Sequence, residues 1–282
     1  MKEVPFSPSK RRGQNFLINK NIIERIMACV PLSRDDVVLE IGPGTGLLTR
    51  ALLRRAGLVI AVELDKKLFS DLKITFAHEP KLILINQDIL KFDVAKTLAD
   101  LNIKSKIKLI ANIPYSITSS ILAYLFEHIA FFEDLYVMVQ KEFAFRVCAD
   151  VATSDYSSFS CFAQFHAVPE ILFKVAPQSF RPRPKVDSCF LRLVPREDAA
   201  AVSAQERSAL FLIIRTAFSY RRKRIDNALS TIVDKTRLRP VLSSLGLEAR
   251  LRPEDLSLKD YLRIARQLIL FEDFPESRMR RG

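Results

Sequence analysis

The chain has no tryptophan, four cysteines, three histidines and only seven glycines in 282 residues. Cys29, Cys148, Cys161 and Cys189 stand far apart with no CxxC, and His78, His128 and His166 form no HxxxH. These spacings offer neither a zinc-finger ligand set nor a disulfide framework. No metal is expected, and the cysteines read as reduced and buried in a reducing compartment. Nucleophile-elbow and cysteine-protease signatures are missing too, which leaves covalent hydrolase schemes without support. No apolar run approaches the roughly 18 residues of a membrane span, and Met1-Lys-Glu-Val-Pro-Phe-Ser-Pro8 lacks the apolar region of a signal peptide. A cytoplasmic protein is the expectation, and no internal repeat is visible.

What is present is ordinary globular material: 49% hydrophobic and 27% charged residues, enough for a sizeable core. The length predicts two domains. The net charge of +12 is uneven. Residues 1–30 carry six Lys/Arg against two Asp/Glu, residues 205–282 carry seventeen against ten, and the middle is nearly balanced at twenty-one against twenty. A neutral body with basic ends suits a polyanion held by the periphery.

Three of the seven glycines fall in Glu40-Ile-Gly-Pro-Gly-Thr-Gly46, between the apolar run Val37-Val-Leu39 and a helix-like Leu47 to Leu53. Glycines there permit a sharp turn and a close ligand approach, and the following helix aims free N–H groups at the turn. Before this motif come a basic arm with Lys10-Arg-Arg12 and a helix capped by Asn19 and reaching Val30. After it, apolar runs alternate with amphipathic segments, with strands predicted over Val37–Ile41, Leu58–Val62, Leu82–Ile85, Leu109–Ala111 and Leu135–Val139. Runs apolar at almost every position predict a doubly wound, parallel α/β sheet with ligands beyond the strands' carboxyl ends. Those ends carry the glycine turn, Glu63, Asn86-Gln-Asp88 and Asn112-Ile-Pro-Tyr115. Glu63, about twenty residues past the glycines, is suited to ribose hydroxyls.

Further along, a helix is predicted over 140–146, a loop over 153–158, and strands over Phe159–Val168, Ile171–Val175 and Val186–Val194. The prolines of Phe180-Arg-Pro-Arg-Pro-Lys-Val-Asp-Ser188 hold Phe180 on a stiff extended segment. Pro195–Ser203 reads as a linker, and residues 209–218, 220–229 and 256–270 read as helices of a small basic domain containing Arg221-Arg-Lys-Arg224. The expected domains are therefore 1–200 and 201–282.

Taken together, Gly13-Gln-Asn-Phe-Leu17, the glycine turn, Glu63-Leu-Asp65, Asp88, Asn112-Ile-Pro-Tyr115, Gln140-Lys-Glu142, the Phe180 to Ser188 segment and Tyr220-Arg-Arg-Lys223 resemble the ribosomal RNA adenine dimethyltransferase family, in order, over nearly the whole chain. The resemblance implies a Rossmann-like methyltransferase sheet with a small C-terminal helical domain. It further implies S-adenosylmethionine as donor and adenosine amines of small-subunit (16S) ribosomal RNA as acceptors, two adjacent ones near the 3′ end. A monomer acting on a small-subunit particle or its precursor, without a membrane, is expected.

The family's roles, carried over, give Gly42 and Gly44 beside the cofactor's methionine part, Glu63 on its ribose and Asp88 on its adenine amine. Asn15 and Leu17 close over the cofactor, and Asn112 lies where cofactor and base meet. Two features depart from the pattern: Ser116 stands where the family often has Asn, and loop 153–158 lacks a common glycine. The Asn112 side-chain oxygen and the Ile113 carbonyl can accept both N–H bonds of an adenine amine and direct its lone pair at the sulfonium methyl. A base inside a helix cannot reach such a site, so it is flipped or single-stranded. Tyr115 and Phe180 are expected to sandwich it.

Three other readings compete. They are a methyltransferase for large-subunit RNA, an RNA-binding assembly factor without turnover, and a nicotinamide oxidoreductase. The last is disfavoured because Gly42-x-Gly44-x-Gly46 is not GxGxxG.

Overall fold

A computed structural model describes residues 15–271 and 274. The chain divides into two compact units, one formed by residues up to Ala144 together with Pro169–Pro195, the other by Phe145–Val168 together with residues from Arg196 onward.

The first unit begins with β1 (Phe16–Leu17) and α1 (Lys20–Cys29), whose N-cap Asn19 accepts a bond from the Asn21 N–H. The repeating part follows as β2 (Val37–Ile41), α2 (Leu47–Leu53), β3 (Leu58–Glu63), α3 (Lys66–Thr75), β4 (Leu82–Asn86), α4 (Val94–Asp100), β5 (Ile107–Asn112), α5 (Thr118–Glu127) and β6 (Phe132–Gln140). All five predicted strands of the sheet are present. β5 is longer than its apolar run because Lys108 is buried within it, where it bonds the Asp36 carboxylate at 2.8 Å and the Pro31 carbonyl at 2.9 Å. A charged residue breaks an apolar pattern, and only the tertiary partners make it a strand residue.

Beyond β6 the chain forms α6 (Lys141–Val147), α7 (Ser158–His166), β7 (Ala167–Val175), β8 (Phe180–Arg181) and β9 (Ser188–Pro195). The main sheet has the order β4-β3-β2-β5-β6-β9-β7, while β1 and β8 make a separate antiparallel pair. β4, β3, β2, β5 and β6 are mutually parallel, and β9 runs antiparallel to β6. Because the chain moves outward from β2 through β3 to β4 and then returns to the other side of β2 as β5, the direction of winding reverses between β2 and β5. That switch point is where such sheets bind ligands. Apolar side chains fill the core, among them Val38, Leu52, Val59, Ile110, Tyr136 and Phe190.

The second unit is helical. The segment expected as a strand over Phe159–Val168 is a helix, α7, for most of its length. Its aromatic content suggests a strand, but Ser157 caps its first turn, with the reciprocal bond from Ser160. The rings of Phe162, Phe165, His166 and Phe211 then pack edge to face or stacked. Thus Phe145–Val168, expected within a domain running to residue 200, belongs to the same compact unit as the C-terminal helices.

Those helices are α8 (Ala204–Ser219), α9 (Ile225–Ala228), α10 (Lys235–Ser244) and α11 (Leu258–Leu268). The helix expected over 220–229 is reduced to the single turn of α9, and Arg221-Arg-Lys-Arg224 lies in the turn before it. In α11, Tyr261, Ile264, Ala265 and Leu268 recur at helical spacing and are fully buried. Fully burying each large member of such a stripe contributes about 1.5–3 kcal/mol.

All four cysteines are free. Cys161 and Cys189 are buried, but Cys29, expected inside, is exposed. Among the described residues no helix is long and apolar enough to cross a membrane.

Candidate active site

The sheet register assembles the site. Ile41 pairs with Val62, Leu39 with Leu109, and Glu63 with Asn86. Continued by a few residues, the ladder brings Gly42, Glu63, Asn86 and Asn112 side by side at the carboxyl edge. The Asn86 amide donates to the Glu63 carbonyl at 2.8 Å, fixing the ends of β3 and β4 together.

In the glycine turn, Gly42, Gly44 and Gly46 have φ of +65°, +58° and +78°. Two of these glycines are required for different reasons. A Cβ on Gly44 would stand 2.7 Å from the Phe16 ring, whereas a Cβ on Gly42 would project into open space. Gly42 is therefore held by its backbone conformation and keeps a cradle clear.

An open groove is lined by Asn15, Phe16, Gly42, Gly44, Glu63 and the stretch Asn112 to Tyr115, with a cavity volume of about 60 Å³. Small-molecule pockets generally start near roughly 300 Å³. A nucleoside-sized ligand therefore extends beyond this cavity into the open side of the groove.

Glu63 is nearly buried. Its Oε2 accepts the Gly44 N–H at 3.2 Å and its Oε1 the Asp65 N–H at 2.8 Å. Burial raises its pKa, and the backbone donors oppose that rise. Each carboxylate oxygen has a further lone pair for a hydroxyl donor. Asn112 is oriented by its amide nitrogen, which donates to the Asn15 carbonyl at 2.9 Å, while its Oδ1 is buried and has no hydrogen-bond partner among the described residues. Such an oxygen is an acceptor awaiting a donor.

Tyr115 donates to or accepts from Ser188 Oγ at 2.6 Å, and burial pushes its phenol up to about 12. The Tyr115 and Phe180 rings meet edge-on, with centroids 6.5 Å apart and planes at 72°, and Phe180 is only 2% exposed. The facing pair expected for a sandwich is not the arrangement here. Pairing of Phe180 with Leu17 in the β1/β8 ribbon draws the ring into the core. Asn15 lines this groove, and Leu17 lines the smaller one beside it. Asp88 lines neither this groove nor the smaller one beside it. Its Oδ1 caps the turn after β4 by accepting the Leu90 N–H at 3.0 Å. Gly13 and the basic arm lie outside the described residues.

Two features were missed in the sequence. Glu40, 1% exposed, lies against the smaller groove under the glycine turn with Oε2 unpartnered among the described residues. Burial pushes its pKa up to about 8, helped by the Glu63 carboxylate and opposed by Thr49. It sits inside an apolar strand run, and a buried acid there is itself a signal. Leu64 and Leu90, each next to a polar strand end, are exposed apolar residues, at 51% and 39%.

Known proteins resemble the chain over nearly its whole length. Residues 6–270 match the family model described as ribosomal RNA adenine dimethylase. The chain is 38% identical over 271 residues to ribosomal RNA small subunit methyltransferase A of Alkaliphilus oremlandii, covering 95% of this chain and 94% of that one. The protein of the same name from Methylococcus capsulatus is 37% identical over 261 residues, covering 93% and 98%. Among solved structures, a dimethyladenosine transferase from Plasmodium falciparum superposes with a TM-score of 0.78 at 27% identity, covering 90% of this chain and 97% of its own. The 23S rRNA methyltransferase ErmE gives 0.70 at 27%, covering 90% and 99%.

Proposed function

The chain belongs to the ribosomal RNA adenine dimethylase family, and we propose that it transfers methyl groups from S-adenosylmethionine to the exocyclic amines of two adjacent adenosines near the 3′ end of 16S ribosomal RNA. It acts as a cytoplasmic monomer on a small-subunit particle or its precursor, with the helical unit and both basic ends contacting RNA.

The residues suit a cationic nucleoside cofactor. Buried Glu63 attracts positive charge, and a cation bound nearby would favour ionisation of the protonated Glu40. The open cradle at Gly42 lets the ligand lie against the backbone, and Glu63 keeps lone pairs for ribose hydroxyls. Asp88, half-buried at the end of β4, has a second carboxylate oxygen to accept an adenine amine, with Leu64 and Leu90 as apolar faces for the ring. When bound, the cofactor supplies an electrophilic methyl on a sulfonium, whose transfer leaves a neutral thioether.

The single observation that carries the reading is the Asn112 amide. Its nitrogen is tied to Asn15, its buried oxygen has no partner among the described residues, and the residue lines the groove that also holds the glycine turn. An adenine amine is a poor nucleophile because its lone pair is delocalised into the ring. Accepting one N–H on Asn112 Oδ1 and the other on the Ile113 carbonyl favours a more tetrahedral nitrogen with its lone pair available. The nitrogen takes the positive charge as the new N–C bond forms and then releases a proton. One N–H then remains, so a second transfer needs only one of the two acceptors. Tyr115 supplies a stacking face, worth roughly 1–3 kcal/mol per base.

The test is methyl transfer from labelled cofactor to unmethylated small and large ribosomal subunits, with the modified bases mapped. Two adjacent dimethyladenosines in the small-subunit RNA are expected. Asn112→Ala should lower turnover at least 100-fold while cofactor binding stays measurable. Label appearing in large-subunit RNA instead, or an unchanged Asn112→Ala rate, would reject the assignment.

A further inference from the structure

The segment between Phe180 and Ser188 is anchored at both ends on one side chain. Its first residue meets Tyr115 ring to ring at 6.5 Å, and its last meets the Tyr115 hydroxyl at 2.6 Å. The seven residues between them therefore form a rim beside the Asn112 to Tyr115 groove. Arg181, Arg183 and Lys185 on this rim are all exposed, and none makes an ion pair among the described residues. Pro182 and Pro184 alternate with them and restrict the backbone, so little conformational freedom remains to be lost when the cations are engaged.

Lys141 and Lys174 lie close enough to act on the Cys189 thiol, against the one carboxylate of Asp187. A run of cations is commonly no more than a solvated surface. Here three unpaired ones are held on a stiffened segment whose two ends touch the base-facing tyrosine, and ordinary solubility needs no such placement.

We propose that residues 181–187 are a phosphate clamp: Arg181, Arg183 and Lys185 grip the single-stranded RNA backbone on either side of the adenosine presented to Asn112 and Tyr115. This rests on the reading of that groove as the target-base site. Holding the flanking phosphates keeps the extruded base from returning to its stack, a task separate from the stacking face that Tyr115 offers.

The experiment measures affinity of the full chain for a single-stranded RNA containing two adjacent adenosines at 50, 100 and 200 mM salt. Wild type is compared with R181Q/R183Q/K185Q and the charge-preserving R181K/R183K. Each phosphate contact to a single strand contributes about 0.7 to the slope of log affinity against log salt, so losing three lowers it by about 2. Over that fourfold salt range, wild type should lose roughly 20-fold more affinity than the glutamine variant. R181K/R183K should keep the wild-type slope. An unchanged slope in the glutamine variant overturns the clamp, as does a fall of equal size in R181K/R183K. Cofactor affinity of each variant, measured in parallel, reports that the fold is intact. Methyl transfer by wild type to the same RNA separates the two proposals: transfer with no slope change rejects the clamp alone. A slope change with no transfer either to this RNA or to unmethylated small subunits leaves the clamp and rejects the methylation.

Discussion

Replacing Glu40 by Gln should stabilise the cofactor-free protein, and the gain should depend on pH. Glu40 is fully buried with its pKa pushed from 4.5 to about 8. Below pH 4.5 the carboxyl is protonated in both folded and unfolded chains and costs nothing. Between 4.5 and 8 the unfolded chain is ionised while the folded one must hold a proton, so folding loses about 1.4 kcal/mol for each pH unit gained. At pH 7 the accumulated cost is of order 3 kcal/mol, and above the folded pKa it levels off.

Glutamine has nearly the same shape and no charge to suppress. The stability difference between Glu40→Gln and wild type, from urea unfolding at pH 5, 6, 7 and 8, should therefore grow with pH along that slope. The same group should make cofactor affinity pH-dependent. If the positively charged ligand selects the ionised carboxylate, affinity rises nearly tenfold per unit between pH 5.5 and 7, and the variant binds more weakly without that dependence. A stability difference that is flat from pH 5 to 8 would refute the reasoning.

Two further substitutions probe the site and the second unit. Ser188→Ala leaves the half-buried Tyr115 hydroxyl without its 2.6 Å partner, a loss of about 1–3 kcal/mol in orientation of the stacking ring. Turnover should fall about tenfold or more with little change in cofactor affinity, Ser188→Thr should restore part of it, and Tyr115→Phe should add nothing further. Additive losses in that double variant would show that Ser188 acts elsewhere. Ala152 holds φ of +64° while its N–H donates to the Glu254 carbonyl at 2.9 Å, a conformation that costs a residue with a Cβ about 1–2 kcal/mol. Ala152→Gly should raise stability by about 0.5–1 kcal/mol once glycine's extra chain entropy is counted, and a lower denaturation midpoint would contradict the strain.

Ala152 precedes the loop over 153–158, which has no glycine. The loop is fastened by Arg221, whose guanidinium bonds the Glu254 carboxylate at 2.6 Å and the Thr153 and Ser154 carbonyls at 3.2 and 2.9 Å. One cation of the basic run therefore serves the protein's own backbone. Arg222 and Lys223 are exposed, with Lys223 over the Tyr220 ring at 4.7 Å. Charge pattern alone treats the four basic residues as equivalent, because it carries no information on which of them folds back onto the chain.

What the sequence determined by itself is the parallel part of the sheet and the chemistry at its strand ends. Both depend on local rules: apolar runs covered on two faces, glycines where φ must be positive, and polar residues at the carboxyl edge. What only the tertiary structure decided depends on contacts between distant segments. The Asn15 carbonyl holds the Asn112 amide nitrogen across 97 residues of chain, which leaves its oxygen without a partner among the described residues. Pairing with Leu17 buries the Phe180 ring and sets it edge-on to Tyr115. Capping and ring packing make a helix of an aromatic segment that propensity assigns to a strand, and burial turns Glu40 from one more motif residue into a protonated acid beneath the glycine turn. Burial, and which of several possible partners a polar atom takes, are properties of the packed chain, and no window of sequence contains them.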